Sequence, residues 1–435
     1  MELRPGYKKT EIGVIPEEWG IVPLGCAFET QLGKMLDEVK NQGVSRPYLG
    51  NRAVQWGKID VSELSTMRMS SADLIKYRLE KGDLLVCEGG EVGRSAIWSG
   101  ELAECYFQKA LHRLRPKGRI DCQFALAVLQ DFATRGIFAN FVTQTSIAHL
   151  PKEKLVQIPL PEPSPNEQKA IAKALSDVDA SIAALSRLIA KKRDLRQGAM
   201  QRLLTGQTRL PGFTAPWQEK RLGDHVAFLK NGVQSRAQLT LDDPVRYLHY
   251  GDIHVSTDLC LDLSNPDMPR LPSSAAAGLT LLQDGDIVFV DASEDLNGVG
   301  KSLEIVGAIG VEAVSGQHTI AARFDKFVLA DGFKRYLQFI PAFTTHLRRL
   351  AAGTKVYATN RKHIASAELQ LPETDEQIAI ARVLSDMELE ISALEIRLAK
   401  TRALKQAMMQ ALLTGRVRLP VRHDAAPQTK EAAHA

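Results

Sequence analysis

Cysteine is scarce in this sequence, and what there is does not pair. Five cysteines, Cys26, Cys87, Cys105, Cys122 and Cys260, include no Cys-x-x-Cys. An odd, scattered set fits buried thiols in a reducing compartment better than a disulfide framework or a cysteine-ligated zinc site. Strong charge of one sign is also missing: 55 basic residues against 51 acidic leave +4. Such a balance permits nucleic-acid binding through a local basic surface without requiring it. No apolar run approaches the length of a membrane span, and "MELRPGYKKTEIG" lacks the apolar core of a signal peptide. A soluble, cytoplasmic chain is expected.

Catalytic motifs are equally absent. "NPDM" at 265–268 is not the Asn-Pro-Pro-aromatic signature of an amino-methyltransferase, and no glycine-rich cofactor loop accompanies it. After Pro266-Asp267, no lysine has the acid two residues before it that a Pro-Asp…(Asp/Glu)-x-Lys nuclease requires; "EVK" at 38–40 matches by itself, as short patterns do by chance. The histidines show no metal spacing, and Ser, Asp and His occur without a nucleophile elbow. "NGVGKS" at 297–302 ends like a phosphate-binding loop, but Asp295 occupies the place of its first glycine. "LEIVGAIGV" then follows, a strand-like run where the motif needs a helix. The earlier "EGGEVGRS" at 88–95 stands in the same context, so both stretches are expected to be hairpin-like connections, each offering a basic side chain, Arg94 and Lys301.

What is present is a repeat. Residues 167–211 and 376–420 are identical at 25 of 45 positions, with no gap, at an offset of 209. A period this long implies a duplicated half rather than a solenoid. The repeated segment reads as a long helix. Ser164 is the expected N-cap with Pro165 next and Glu167 three residues on, and Thr374 with Gln377 offers the same relation. Apolar residues at alternating spacings of four and three make a seam: Ile171, Leu175, Val178, Ile182, Leu185 and Ile189, then Ile380, Leu384, Met387, Ile391, Leu394 and Leu398. Gly206 and Gly415 mark the expected ends. Roughly 40 residues at about 1.5 Å each gives a rod on the order of 60 Å. An exposed seam of that length would be insoluble, so the two helices are expected to pair, antiparallel, rather than each lying only on its own domain.

Residues 1–160 and 213–370 are mixed sequence with short β-branched and aromatic runs broken by Gly, Asn and Asp, read as two α+β domains. Residues 161–212 and 371–420 are the repeated helical segments, and the small, polar 421–435 reads as a disordered tail. Weak correspondences link the domains: Trp19 with Trp217, "GDLLVCEGGEVGRSAIW" with "GDIVFVDASEDLNGVGKSLEIVG", and "TSIAHLPKEKL" (145–155) with "TKVYATNRKHI" (354–364). Helices are expected at 122–140 and 331–350. Candidate DNA-contacting side chains are Lys34, Arg52, Arg94, Gln108, His112 and Arg113 in the first domain, with Arg46 and Arg115 near them. The second offers Lys230, Arg236, His249, Lys301, Gln317, His318, Lys355 and Arg361. Arg and Lys suit phosphates, while Arg, Gln, Asn and His can read base edges. Taken singly, each is more readily an ordinary solvated surface group. Gln108 and Gln317 stand at matching places, beside His112 and His318.

Two related but diverged domains at the ends of a closely repeated spacer are what two independent readers at a fixed separation need, since one DNA turn takes about 34–36 Å. The "YKKTEIGVIPEEW…LG" opening, the "EQ.AIA..LS" helix start and "LLTG…RLP", in two copies, resemble the specificity subunit of type I restriction–modification systems, over nearly the whole chain. That resemblance implies two target-recognition domains, each reading one half of a bipartite, asymmetric site in double-stranded DNA. It implies a pseudo-twofold α+β architecture whose antiparallel coiled coil sets the unread spacer. It further implies two docked modification subunits, which bind S-adenosylmethionine and methylate adenine, and restriction subunits that use ATP and Mg. This chain would carry specificity, with no catalytic residue, metal or cofactor of its own. The alternative is an interaction scaffold whose coiled coil mediates association without sequence-specific DNA binding. Neighbouring genes for a methyltransferase and a helicase–nuclease separate the two.

Overall fold

The computed structural model describes residues 4–37, 39, 41–142, 148–296, 298–351 and 356–420. It divides into two compact units, Met1–Ser186 with Ile396–Ala435, and Arg187–Glu395. The repeated segments form helices of equal length, Pro165–Leu203 and Thr374–Leu412. Each unit therefore takes the first part of its own long helix and the last part of the other.

In the first unit, a four-stranded sheet runs in the order Ser95–Ile97, Leu84–Cys87, Leu111–Pro116, Phe28–Leu32, antiparallel throughout. Its central strand "LLVC" is buried on both faces, which is why it is apolar without alternation. Leu84 and Val86 meet the helix Cys122–Thr134, whereas Leu85 and Cys87 meet a second layer containing Leu49, Trp98 and Phe107. That helix starts where the Asp121 carboxylate accepts hydrogen bonds from the amides of Gln123 and Phe124. The second layer is a three-stranded sheet ordered Tyr106–Phe107, Val44–Leu49, Ser65–Met69.

The second unit repeats this plan. Its larger sheet is ordered Val226–Phe228, Thr319–Phe324, Ile287–Val290, Ser302–Val306, with Cys260–Asp262 added at the edge; Arg270–Leu271, Val245–Leu248 and Ala313–Ser315 form the smaller one. The duplicated "GD" has a structural duty in both. Asp83 receives two hydrogen bonds from Arg115 at 2.8 and 2.9 Å, and Asp286 two from Arg323 at 2.8 and 2.7 Å. Both carboxylates are nearly inaccessible, and paired geometry of this kind is what lets an ionised group be buried. Two expectations need correction here. The helix foreseen at 122–140 ends at Thr134, and after Gly136, at φ +70°, a separate 3-10 turn spans Ile137–Asn140. The helix foreseen at 331–350 is broken into a 3-10 turn, Lys334–Phe339, and a helix, Pro341–Leu350. Pro341 has no amide hydrogen to continue the first and opens the second instead.

The long helices pair antiparallel within each unit. Lys192 meets Glu390 and Arg196 meets Glu388 in the second unit, so partners run in opposite directions; Lys405 meets Asp179 in the first. Every residue of the expected seam is buried or half-buried. Its outer members nevertheless also serve the domains. Ile171 and Leu175 join the core of the first domain together with Met409, Leu412 and Leu413, and Ile380 and Leu384 join that of the second with Met200, Leu203 and Leu204. Packing on the domain and pairing between helices are thus one arrangement.

The near-identity of the repeat has a physical cause in the same place. Gln168 donates to the carbonyls of Pro163 and Arg119 and accepts from the amide of Asp121; Gln377 donates to Pro372 and Val328 and accepts from Ala330. Beside them the buried Glu167 accepts from Trp19 Nε1 and from the Arg418 guanidinium. Its counterpart Glu376 accepts from Trp217 Nε1 and Arg209. Each arginine also lies 5.7 Å from its indole centroid. Glu167 is consumed by this triad, so the capping box at Ser164 is only half made: the Glu167 amide donates to Ser164 Oγ. In the second copy the cap falls on Glu373, whose carbonyl accepts from the amides of Glu376 and Gln377, and Thr374 is the first helical residue rather than the cap. After each helix, Gly206 and Gly415 adopt φ of +69° and +66°. A side chain at Gly415 would also strike Pro16.

Candidate nucleic-acid interface

The segment following the middle strand of the smaller sheet differs between the two units. In the second unit Val245–Leu248 leads into His249 and the short helix Tyr250–Val255. His249 Nδ1 accepts from the amide of Gly251, and Asp252 answers by accepting from the His249 amide at 3.0 Å. Burial pushes the His249 pKa down, with Arg236 and His318 adding repulsion and Asp252 opposing, so the imidazole is held in the neutral form that can accept. Lys301 closes the other end of the turn, donating to the carbonyls of His254 and Ser256 at 2.6 and 2.9 Å. Tyr250 stands against three imidazoles, with ring centroids 4.5 Å from His249, 6.0 Å from His254 and 5.5 Å from His318. These groups border an open cleft of about 520 Å³, lined by Tyr250, His254, His318, Glu294 and Asp295 among others.

The first unit has a cleft of about 560 Å³ at the matching place, after Val44–Leu49, where Asn51, Arg52 and Gln108 line it with Asp60 and Glu63. Arg94, the counterpart of Lys301, donates to the Asn51 carbonyl at 2.7 Å and pairs with Glu91. Exposed Lys109 stands beside Gln108. Burial raises the pKa of nearby Glu88, against the pull of Lys109 and His149.

This geometry sorts the candidates. Arg52, Gln108 and His318 line the clefts, while Gln317 is half-buried next to His318 and Lys230 is exposed. Exposed Arg236 pairs with Asp252 at 2.6 Å. Others are corrected to structural duties. His112 is fully buried, with Nε2 2.9 Å from the Leu150 carbonyl and a pKa lowered by burial. Arg113 is 4% exposed and donates to the carbonyls of Lys76 and Arg78. Neither can reach a groove. Lys34 is spent on Asp73, and Arg361 on the Leu229 carbonyl and Asn231. Arg46 pairs with Glu104, and Arg115 holds Asp83. His249 is a cap before it is a reader, and Arg94 and Lys301 hold the loops in place rather than reach outward. Lys355 lies outside the described residues, as do parts of both segments compared at 145–155 and 354–364.

The backbone does not pair Gln108 with Gln317. The Glu88 amide donates to Ala110 and the Asp291 amide to His318, so Ala110, not His112, is the counterpart of His318, and Lys109 that of Gln317. Tyr250, His254, Asp291 and Lys109 are the site residues that residue type alone left unmarked.

Comparison with known proteins agrees with this architecture. Residues 16–191 match the family model described as the type I restriction modification DNA specificity domain. Two relatives from Methanocaldococcus jannaschii align over nearly full length. The protein named as the MjaX type I restriction enzyme specificity subunit is 24% identical over 95% of this chain and 97% of its own; the MjaVIII specificity subunit is 23% identical over 93% and 94%. Over nearly its whole length the chain is similar to type I restriction enzyme specificity subunits, and its first half carries the match to the DNA specificity domain. Solved structures share the fold: the S subunit from M. genitalium (TM-score 0.57, 15% identity, 95% of this chain and 98% of that one) and the HsdS subunit from Thermoanaerobacter tengcongensis (0.51, 18%, 93% and 98%). A chain from a type I R-M assembly study gives 0.58 at 16% identity, covering 93% and 99%. Among the described residues no helix is long and apolar enough to cross a membrane, and no group of His, Cys, Asp and Glu is arranged to hold a metal.

Proposed function

We propose that this chain is the DNA sequence-specificity subunit of a type I restriction–modification complex. Each domain reads one half of a bipartite, asymmetric site, and the paired helices set the unread spacer and dock two modification subunits. Methyl transfer from S-adenosylmethionine, and ATP- and Mg-dependent translocation and cleavage by restriction subunits, belong to the partners; this chain supplies no catalytic group. One observation carries the reading: the two units repeat strand order and the Gln–Glu–Trp–Arg attachment to the helices, yet diverge at the loop lining each cleft, Gly50-Asn51-Arg52 against His249-Tyr250-Gly251. Equal scaffolds with unequal loops suit two different half-sites, because base edges are read by particular side chains while the scaffold only positions them.

The test is co-expression with the modification subunit, followed by mapping of methylated adenines in host DNA. A single bipartite motif with a fixed gap is expected; its absence refutes the proposal. Inserting one helical turn into each long helix should then change the gap and leave both half-sites intact.

A further inference from the structure

Among the described residues one side chain other than glycine sits at positive φ: His318, at +58°. L-residues avoid that region, histidine less than most, and such strain persists where surrounding structure imposes it, often at functional sites. Ala110, at the same place in the first unit, adopts no such backbone. The conformation does not serve the core, since the His318 side chain is 52% exposed at the rim of the cleft. It is nonetheless held. Tyr250 meets the imidazole edge-on at 86°, and Nδ1 stands 3.3 Å from Asp291 Oδ1, a buried oxygen with no hydrogen-bond partner of its own. The Asp291 amide donates to the His318 carbonyl, fixing the backbone on the other side. No described group hydrogen-bonds Nε2. The charged and titratable surroundings are Asp291, Glu294 and Asp295 on one wall and His249 and His254 about Tyr250.

Resting on the DNA-reading function above, we propose that His318 is a base-reading, specificity-determining residue of the second domain, and that Asp291 and Tyr250 position it. A carboxylate facing Nδ1 favours the tautomer with the proton there, which leaves Nε2 as an acceptor. The groups it can accept from in a major groove are exocyclic amines, N6 of adenine or N4 of cytosine. Arg236 and Lys230, exposed in the same unit, suit phosphates and carry no such discrimination.

The experiment selects a randomised duplex library with the purified full-length chain, as wild type and as His318→Gly and His318→Asn. Glycine accepts positive φ without cost and asparagine tolerates it, so neither variant should lower the thermal midpoint. In the wild type one A or C position in one half-site should depend on His318. His318→Gly should cut preference there by about 5- to 150-fold, leave the other half-site unchanged and keep the salt dependence of binding. Unaltered preferences in a folded His318→Gly variant, or uniform weakening across both half-sites, would overturn the assignment. A wild-type chain that enriched no bipartite motif would overturn the DNA-reading function itself, and this proposal with it.

Discussion

Gln377 is a point where the fold can be broken with a calculable cost. Its side chain is 1% exposed and makes three hydrogen bonds, to the carbonyls of Val328 and Pro372 at 2.8 and 2.9 Å and from the Ala330 amide at 2.9 Å. In Gln377→Ala all three are lost and the Ala330 amide is left inside without a partner. A buried hydrogen bond contributes about 1 kcal/mol net, and an orphaned buried group costs about 1–3 kcal/mol. With a small cavity added, the loss should come to about 3–5 kcal/mol, a large share of a stability that is typically about 5–15 kcal/mol. Gln377→Glu keeps an acceptor for Ala330 but loses both donors and places a charge in the core, so it should do no better. The counterpart Gln168→Ala should cost somewhat less, because its bond to the Arg119 carbonyl is already long at 3.3 Å. Urea unfolding measures the totals, and hydrogen exchange at the Ala330 amide localises the effect. A Gln377→Ala protein that lost less than about 1 kcal/mol, with Ala330 still protected, would refute the account of why this position repeats.

Three further outcomes follow from the same contacts. Lys301→Met should weaken specific DNA binding by loosening the His249–Ser256 turn, yet leave the slope of log affinity against log salt unchanged, since a lysine bound to two carbonyls neutralises no phosphate. His112, whose pKa burial lowers, takes up a proton less readily folded than unfolded. Stability should therefore fall as pH drops below the ordinary histidine value of about 6.5, and His112→Gln, which can still donate to the Leu150 carbonyl, should flatten that fall in denaturation between pH 7.5 and 5.5, the pH values being chosen about either side of that pKa. Arg418→Ala leaves the buried Glu167 carboxylate with the Trp19 indole as its remaining donor, so a loss of about 3 kcal/mol is expected by thermal unfolding, the 41% exposure of the guanidinium keeping it at the low end of the range for broken buried pairs, together with a changed environment for Trp19 by fluorescence.

The helices and the domain plan were legible because their causes are local. Seam spacing, the glycines after "LLT" and the helical spacing of "FALAVLQDF" each state a backbone preference in consecutive residues. The candidate site was less legible, and the reason lies in the counting. Trp19 and Trp217 are 198 residues apart, Asp83 and Asp286 are 203, and Glu167 and Glu376 are 209. The second domain gains residues step by step, so the offset that aligns the helices misaligns the loops: it sets Gln108 on Gln317, where the backbone sets Lys109. Residue type misled for a second reason. Arg113 and His112 lie on Leu111–Pro116, a strand covered on both faces, and a charged residue there is turned inward to satisfy carbonyls, which composition cannot reveal.

The loops around the clefts show how the two demands on this chain are separated. Arg94 and Lys301 occupy one hairpin position and each reaches the carbonyl backbone that follows the middle strand, Asn51 in one unit, His254 and Ser256 in the other. A cation that anchors main chain does not depend on the side chains presented there, because every residue offers a carbonyl. The anchor can therefore stay while Asn51-Arg52 becomes Tyr250-Gly251 and the cleft changes its chemistry. The Arg115–Asp83 and Arg323–Asp286 pairs stay for a different reason: both pairs lie at the larger sheet of their unit and none of the four residues lines the cleft. Specificity can thus change at a few exposed positions without disturbing the contacts that join each domain to the helices. Exchange of residues 50–52 should accordingly alter what the first cleft binds and leave its unfolding transition within about 0.5 kcal/mol, the range of surface substitutions away from buried contacts.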